Sequence, residues 1–139
     1  MKQVFFDLVI STNGQKLYEI TDQIINWIKK NKFNNGMLNL NIQHTSASLI
    51  VQENADPDVQ TDLINFFNKI APMDNSLYIH TTEGKDDMPA HIKSSLTNNQ
   101  ITLSIKNGTP ILGTWQGLYL FEHRLESQSR KITCHFLGN

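Results

Sequence analysis

With a single cysteine, Cys134, in 139 residues, the chain cannot close an internal disulfide, so its stability has to come from a packed core. Cys134 alternates with Ile132 and Phe136, the pattern of a small buried hydrophobe on a strand. A reducing compartment is therefore expected. Basic clusters are as scarce as cysteine. No run of Lys or Arg exceeds Lys29-Lys30, arginines do not interleave with aromatics, and the formal net charge is −1. Such a composition offers a nucleic acid little to hold. No apolar run approaches the roughly 20 residues of a membrane span, and no basic-apolar-small leader opens the chain. Neither nucleic acid nor membrane is expected as a partner, and the cytoplasm is the expected location.

Several motifs that would fix a chemistry are also missing. There is no GxSxG elbow, no GxxxxGK[ST] or GxGxxG loop, no HExxH and no CxxC pair. Cys134, in the middle of a strand, is poorly placed for a nucleophile. Internal repeats, low-complexity tracts and linkers are absent too. With 39% hydrophobic and 18% charged residues, residues 1–139 read as one ordinary globular domain.

The elements follow from periodicity. Lys2 to Ile10 alternates as a strand, Asn13-Gly14 turns, and a short extended piece reaches Ile20. Thr21 and Asp22 offer a cap to a helix carrying Ile24, Ile25 and Ile28 and ending near Lys32, where Asn34-Asn35-Gly36 stops it. Strands are expected near 37 to 44 and 48 to 52. Asp56 before Pro57 reads as the N-cap of a second helix, whose Val59, Leu63, Phe66, Phe67 and Ile70 should pack on the sheet. Leu77 to His80 reads as a short strand. A third helix should bury Met88, Ile92, Ser95 and Leu96. The last third reads as β: Ile101 to Lys106, a turn at Asn107-Gly108, Gln116 to Arg124, a turn at Ser127 to Ser129, and Arg130 to Leu137. About eight strands and three helices without regular βα alternation give an α+β class, with one mixed or antiparallel sheet.

Three stretches hold the chemistry. In His44 to Asp58, HTSASLIVQENADPD, the strand that carries Leu38, Leu40 and Ile42 ends on His44 with those residues on its face, and Thr45 and Ser46 follow. The second stretch, YIHTTEGKDDMPAHIKSSL, sets His80 and His91 around an acidic, Gly-containing loop, with Asp87 four residues before His91 and thus beside it on a helix. An aspartate next to an imidazole is equally a capping contact and the support of a metal-bound histidine. The third, LGTWQGLYLFEHR, interrupts an aliphatic strand face with Glu122, for which Arg130 is a candidate counter-charge.

Each histidine taken singly reads as well as a core residue. Two clusters in one small domain point instead to a shared site. His44, His80 and His91 would suffice for a metal with one position open to water or substrate, and Zn²⁺ suits imidazole best, with Mn²⁺, Fe²⁺, Co²⁺ or Ni²⁺ as alternatives. Without a metal, the same rings would hold an anion or move protons.

With these motifs in this order, the whole chain resembles the YjbQ/UPF0047 family, also called the secondary thiamine-phosphate synthase family. The resemblance implies a compact α+β subunit, a homotrimer, and a metal or anion site built on His44, His80 and His91. By the same resemblance Glu53, Asn54 and Asp56 from the first motif and Gly113, Thr114, Trp115 and Gln116 from the third join the site. Thr45 and Ser46 are expected to touch the ligand, with Glu53, Glu122 or Arg130 in supporting catalytic roles. Lys85 is a departure, adding a positive charge to a loop that is acidic in the family. The implied reaction, a side activity in some members, joins a hydroxymethylpyrimidine diphosphate to a thiazole phosphate and expels pyrophosphate. The competing expectation is a non-enzymatic trimeric protein that binds a small anion or metabolite.

Overall fold

The computed structural model describes all residues, Met1–Asn139. Eight strands and three α-helices form two antiparallel sheets rather than one. The strands are β1 (Lys2–Asn13), β2 (Lys16–Glu19), β3 (Gly36–Ile42), β4 (Ala47–Glu53), β5 (Gln100–Lys106), β6 (Thr109–Pro110), β7 (Gln116–Glu122) and β8 (Ser127–Gly138). The larger sheet runs β1-β8-β3-β5-β6 and the smaller β2-β7-β4. The helices are α1 (Thr21–Lys30), α2 (Pro57–Ile70) and α3 (Asp87–Leu96).

The main core fills the space between the sheets. Leu38, Leu40, Ile132, Cys134 and Phe136 of the larger sheet meet Leu49, Leu118 and Leu120 of the smaller one, and Ile24, Trp27 and Ile28 of α1 close one side. On the other face of the smaller sheet, Leu17, Tyr119 and Phe121 pack against Leu63, Ile64 and Phe67 of α2. Strand β7 is thus covered on both faces, which is why GLYLFE is almost unbroken in its apolar character. Cys134 is inert in this setting. Burial, with the Asp7 charge adding to it, pushes its thiol up to about 12.

Several sequence expectations need correction. Only β3 up to Ile42 is strand, and His44 lies just beyond it. Leu77 to His80 is not a strand: a single 3₁₀ turn at Asn75–Leu77 leads into a loop. Thr21 does not cap α1. Its hydroxyl donates to Glu19 Oε2 at 2.8 Å and accepts the Leu118 N–H at 2.9 Å, tying the helix start to the smaller sheet. Asp56 does cap α2, accepting the Asp58 N–H at 2.9 Å, but Phe66 and Ile70 stay exposed, because Ile64 takes their place in the contact. Helix α3 buries Asp87, Pro89, Ala90 and Lys93 and leaves Leu96 exposed, so the expected apolar stripe is not its packed face. Ser127 to Ser129 opens β8 and is no hairpin turn, since β7 and β8 belong to different sheets. The Asn107-Gly108 turn is present, both residues holding positive φ as a two-residue turn of this hand requires.

Between β7 and β8 lies the one buried pair of full charges that joins the sheets. Arg130 Nε donates to Glu122 Oε1 at 2.8 Å and Arg130 Nη2 donates to Oε2. The Thr12 hydroxyl and the backbone N–H groups of His123 and Arg124 occupy the rest of the carboxylate. Every acceptor position that burial would otherwise strand has a donor. Arg130→Met leaves Glu122 uncompensated at 0% exposure and is expected to cost about 3–5 kcal/mol, measured by urea unfolding. A loss below about 1 kcal/mol would show that the pair does not hold the sheets together.

Candidate functional site

The three motifs meet only in part. At the start of β4, His44 and Thr45 come together with the C-terminal half of α3, and His80 reaches the first turn of that helix. At the far end of β4, Glu53 pairs with Gln116, and Asn54 donates its N–H to the Trp115 carbonyl at 2.9 Å. A strand of this length separates the two ends by about 20 Å. Within one chain, then, Glu53, Asn54, Asp56 and the Gly113 to Gln116 bend do not reach the histidines. The motif that looked continuous runs along a strand and delivers its ends to opposite edges.

Two histidines converge on one carboxylate oxygen. His80 Nε2 lies 2.8 Å and His91 Nε2 3.1 Å from Asp87 Oδ2, and the ligand atoms of the three residues all lie within 4.8 Å of one another. His44 stands outside this group. Its Nε2 accepts the Lys131 N–H at 2.9 Å, so the neutral ring carries its proton on Nδ1 and has no lone pair left for a metal. Burial first, and then the Arg130 charge, lower its pKa against the opposing pull of Glu122. The sequence expectation of His44 as ligand gives way to a neutral N–H donor, and Asp87 takes the third place in the cluster.

The polarity of His91 is fixed by its other nitrogen. Nδ1 faces the Thr45 carbonyl at 3.0 Å, and a carbonyl only accepts, so Nδ1 carries a proton. In the neutral ring, Nε2 then presents a lone pair to the Asp87 carboxylate. Two electron-rich atoms at that separation need a proton or a cation between them. A ring donating one N–H to a backbone carbonyl while the other nitrogen faces outward is also the common support of a metal-bound histidine. The donor set of two imidazoles and one carboxylate fits a divalent transition metal.

Asp87 is almost fully buried, and its second oxygen, Oδ1, accepts from Arg124 Nη1 at 2.7 Å. Burial alone would raise its pKa, but the His80 hydrogen bond and the His91 and Arg124 charges outweigh that, and the group stays below its ordinary value. Beside the cluster is a cleft of about 470 Å³, lined by His44, Thr45, His91, Ser94, Ser95, Thr97 and Asn99, with no hydrophobic side chain. Ser94 and Ser95 spend their protons on the Ala47 and His91 carbonyls, so they turn lone pairs to the cleft. The wall holds no Lys or Arg, so positive charge for a bound anion has to come from the histidines or from a metal at the cluster.

Behind the cleft, Thr97 bonds Ser48 at 2.7 Å and Ser48 bonds His123 Nε2 at 2.9 Å, while His123 Nδ1 has no partner. Ser46, expected at the ligand, instead accepts from Arg130 Nη2 through its hydroxyl at 3.0 Å. Glu122 and Arg130 are occupied by each other and sealed from the cleft, so neither can touch a ligand directly. Thr97 and Asn99 carried no signal in the sequence, since polar residues after a helix read as an ordinary solvated surface, and Ser95, expected on the packed stripe of α3, lines the cleft instead. Arg124 was legible only as the last letter of the third motif.

Fold and site together define a two-sheet α+β protein with a histidine–aspartate cluster at the lip of a polar cleft. The chain belongs to the YjbQ/UPF0047 family: the family model described as UPF0047 protein YjbQ-like matches residues 7–139. A UPF0047 protein of Synechocystis is 47% identical over 94% of this chain and 89% of its own length. The UPF0047 protein YjbQ of Escherichia coli O157:H7 is 42% identical over 94% of this chain and 95% of its own. Among solved structures, a YjbQ/UPF0047 protein from Clostridium acetobutylicum matches with a TM-score of 0.82 at 30% identity, over 96% of this chain and 99% of that one. A Sulfolobus solfataricus protein described as YbjQ-like and of unknown function shares the fold with a TM-score of 0.90 at 24% identity, over 99% of each chain. No helix is long and apolar enough to cross a membrane.

The buried imidazole predicts a pH dependence. Burial, with the Lys93 and Arg130 charges adding to it, lowers His123 from 6.5 to about 3. Between those values the unfolded chain binds the proton and the folded chain does not, so stability falls as pH falls. His44 adds to this in the same direction, and Asp86 and Asp87, held below 3.8, add their loss only at lower pH. The urea midpoint should decline from about pH 6.5 downward, and His123→Gln should flatten the part above about pH 4.5. An unchanged slope in His123→Gln would contradict this assignment.

Proposed function

We propose that the protein is a metal-dependent enzyme acting on a small phosphorylated molecule, with thiamine-phosphate synthase chemistry as the reaction to test first. The observation that carries the reading is the pairing of two imidazole Nε2 atoms with one Asp87 oxygen, where His91 has its other nitrogen committed to the Thr45 carbonyl. His80, Asp87 and His91 would hold the ion, with Zn²⁺ the best match to this donor set. When bound, a divalent ion would supply positive charge to phosphoryl oxygens in a wall that has no Lys or Arg. The chain's own groups then do the orienting. His44 offers its Nδ1–H, and Thr45 and Asn99 offer rotatable or amide donors, so that a diphosphate could be held as it leaves.

Assembly as a homotrimer belongs to the same proposal. Phe66, Ile70, Leu77 and Ile79 are exposed apolar side chains that a neighbouring chain would cover. The number three rests on the family resemblance. Trp115, 64% exposed at the far end of β4, gives that neighbour an aromatic face that the cleft itself lacks.

Protein prepared without an affinity tag should contain close to one divalent transition metal per chain by elemental analysis. His80→Ala, His91→Ala and Asp87→Asn should each lose it, while His44→Ala keeps it and weakens the phosphorylated ligand. Full metal content in the double variant of His80 and His91 would sink the assignment. Condensation of hydroxymethylpyrimidine diphosphate with thiazole phosphate, followed by pyrophosphate release, should fall at least about 100-fold in His91→Ala. Retained ligand binding without any turnover in wild type would make the protein a binding protein instead.

A further inference from the structure

We infer that Arg124 is the positioning residue of this centre, fixing the Asp87 carboxylate so that a single oxygen faces both histidines. The inference rests on the metal-dependent reading above and extends it to a residue outside the cluster and the cleft wall. Arg124 lies two residues past the end of β7, and each of its three guanidinium nitrogens meets a different part of the segment that enters α3. Nε donates to Asp86 Oδ2 at 2.9 Å, Nη1 to Asp87 Oδ1 at 2.7 Å, and Nη2 to the Glu83 carbonyl at 2.9 Å. A planar fork holds three acceptors in one fixed arrangement, which the single ammonium of a lysine cannot do.

The segment that enters α3 is shaped around this clamp. Asp86 occupies the N-cap position of α3 yet makes no capping bond; its Oδ2 accepts instead from Arg124 and from the Leu125 N–H at 2.9 Å. Gly84, at a φ of 110°, makes the turn that brings the Glu83 carbonyl to Nη2, and that backbone conformation strains any residue with a side chain. With Oδ1 anchored by Nη1, the Asp87 carboxylate cannot swing, and Oδ2 stays at 2.8 Å from His80 and 3.1 Å from His91. Arg124 makes no hydrogen bond to either ring, so its influence on the centre passes through Asp87.

The test titrates cobalt(II) into metal-free wild type, Arg124→Ala and Arg124→Lys, with affinity read by calorimetry, ligand geometry by visible absorption, and stability by urea unfolding. Arg124→Ala should bind cobalt about 10–100-fold more weakly, with an altered absorption band, as loss of a ligand's hydrogen-bonding support does elsewhere. Ethylguanidinium added to Arg124→Ala should restore part of that affinity, and Arg124→Lys should fall between the two. If Arg124→Ala does not fold, Arg124→Lys carries the test alone, weaker binding supporting the inference and wild-type binding overturning it. A folded Arg124→Ala with wild-type affinity and spectrum, even if less stable, would likewise overturn it and leave Arg124 a structural clamp only. A wild type that takes up no cobalt would instead remove the metal reading itself, and the inference with it.

Discussion

One buried ion pair, Arg130 with Glu122, spans the gap between the two sheets, and the groups of the candidate site are arranged around the place where it does so. Arg130 comes from the central strand of the larger sheet's β1-β8-β3 portion and Glu122 from the last residue of β7. From that junction, Arg130 also holds the Ser46 hydroxyl and carbonyl, fixing the chain just before β4. The next residue after Glu122 on one side is His123, and then Arg124, which reaches the start of α3. The Arg130 charge also helps keep His44 neutral. A pair of charges so fully desolvated is a weak source of net stability compared with a hydrophobic replacement, but removal of either member alone is severe. Its worth lies in fixing where the two sheets sit relative to each other.

Most of what the sequence exposed correctly is local, although the Thr21 cap and the Leu77 to His80 strand, also local, are absent. Strand periodicity, the Asn107-Gly108 turn, the Asp56 cap and the i, i+4 contact of Asp87 with His91 depend on neighbours along the chain, and each is present. The pairing of Glu122 with Arg130 was legible because a carboxylate on an aliphatic strand face needs a counter-charge, although the two residues turned out to lie on different sheets. What could not be read was long-range direction. His44 was placed by strand parity, but parity does not reveal that a backbone N–H of β8 takes its ring nitrogen. The stripe Met88, Ile92 and Leu96 looked like a packed face, yet α3 turns Asp87 and Lys93 inward because their partners, Arg124 and Asn68, come from other elements. Nothing near Arg124 in the chain could have disclosed that it reaches back to residues 83 to 87.

The split of the first motif along β4 limits what one chain can bring together. If Glu53 and the Trp115 region contribute to the same chemistry as the histidines, they do so from another copy of the chain. Strand β4 lies between the two ends of the motif and keeps them apart within one chain.

The proposed metal at His80, Asp87 and His91 is tested most directly by anomalous diffraction at the absorption edge of the metal that elemental analysis identifies. One strong peak is expected between the two imidazole Nε2 atoms and Asp87 Oδ2, with Nδ1 of His91 still donating to the Thr45 carbonyl and His44 still accepting from Lys131. A peak on His44 instead, or no peak while both rings remain directly hydrogen-bonded to Asp87, would contradict it.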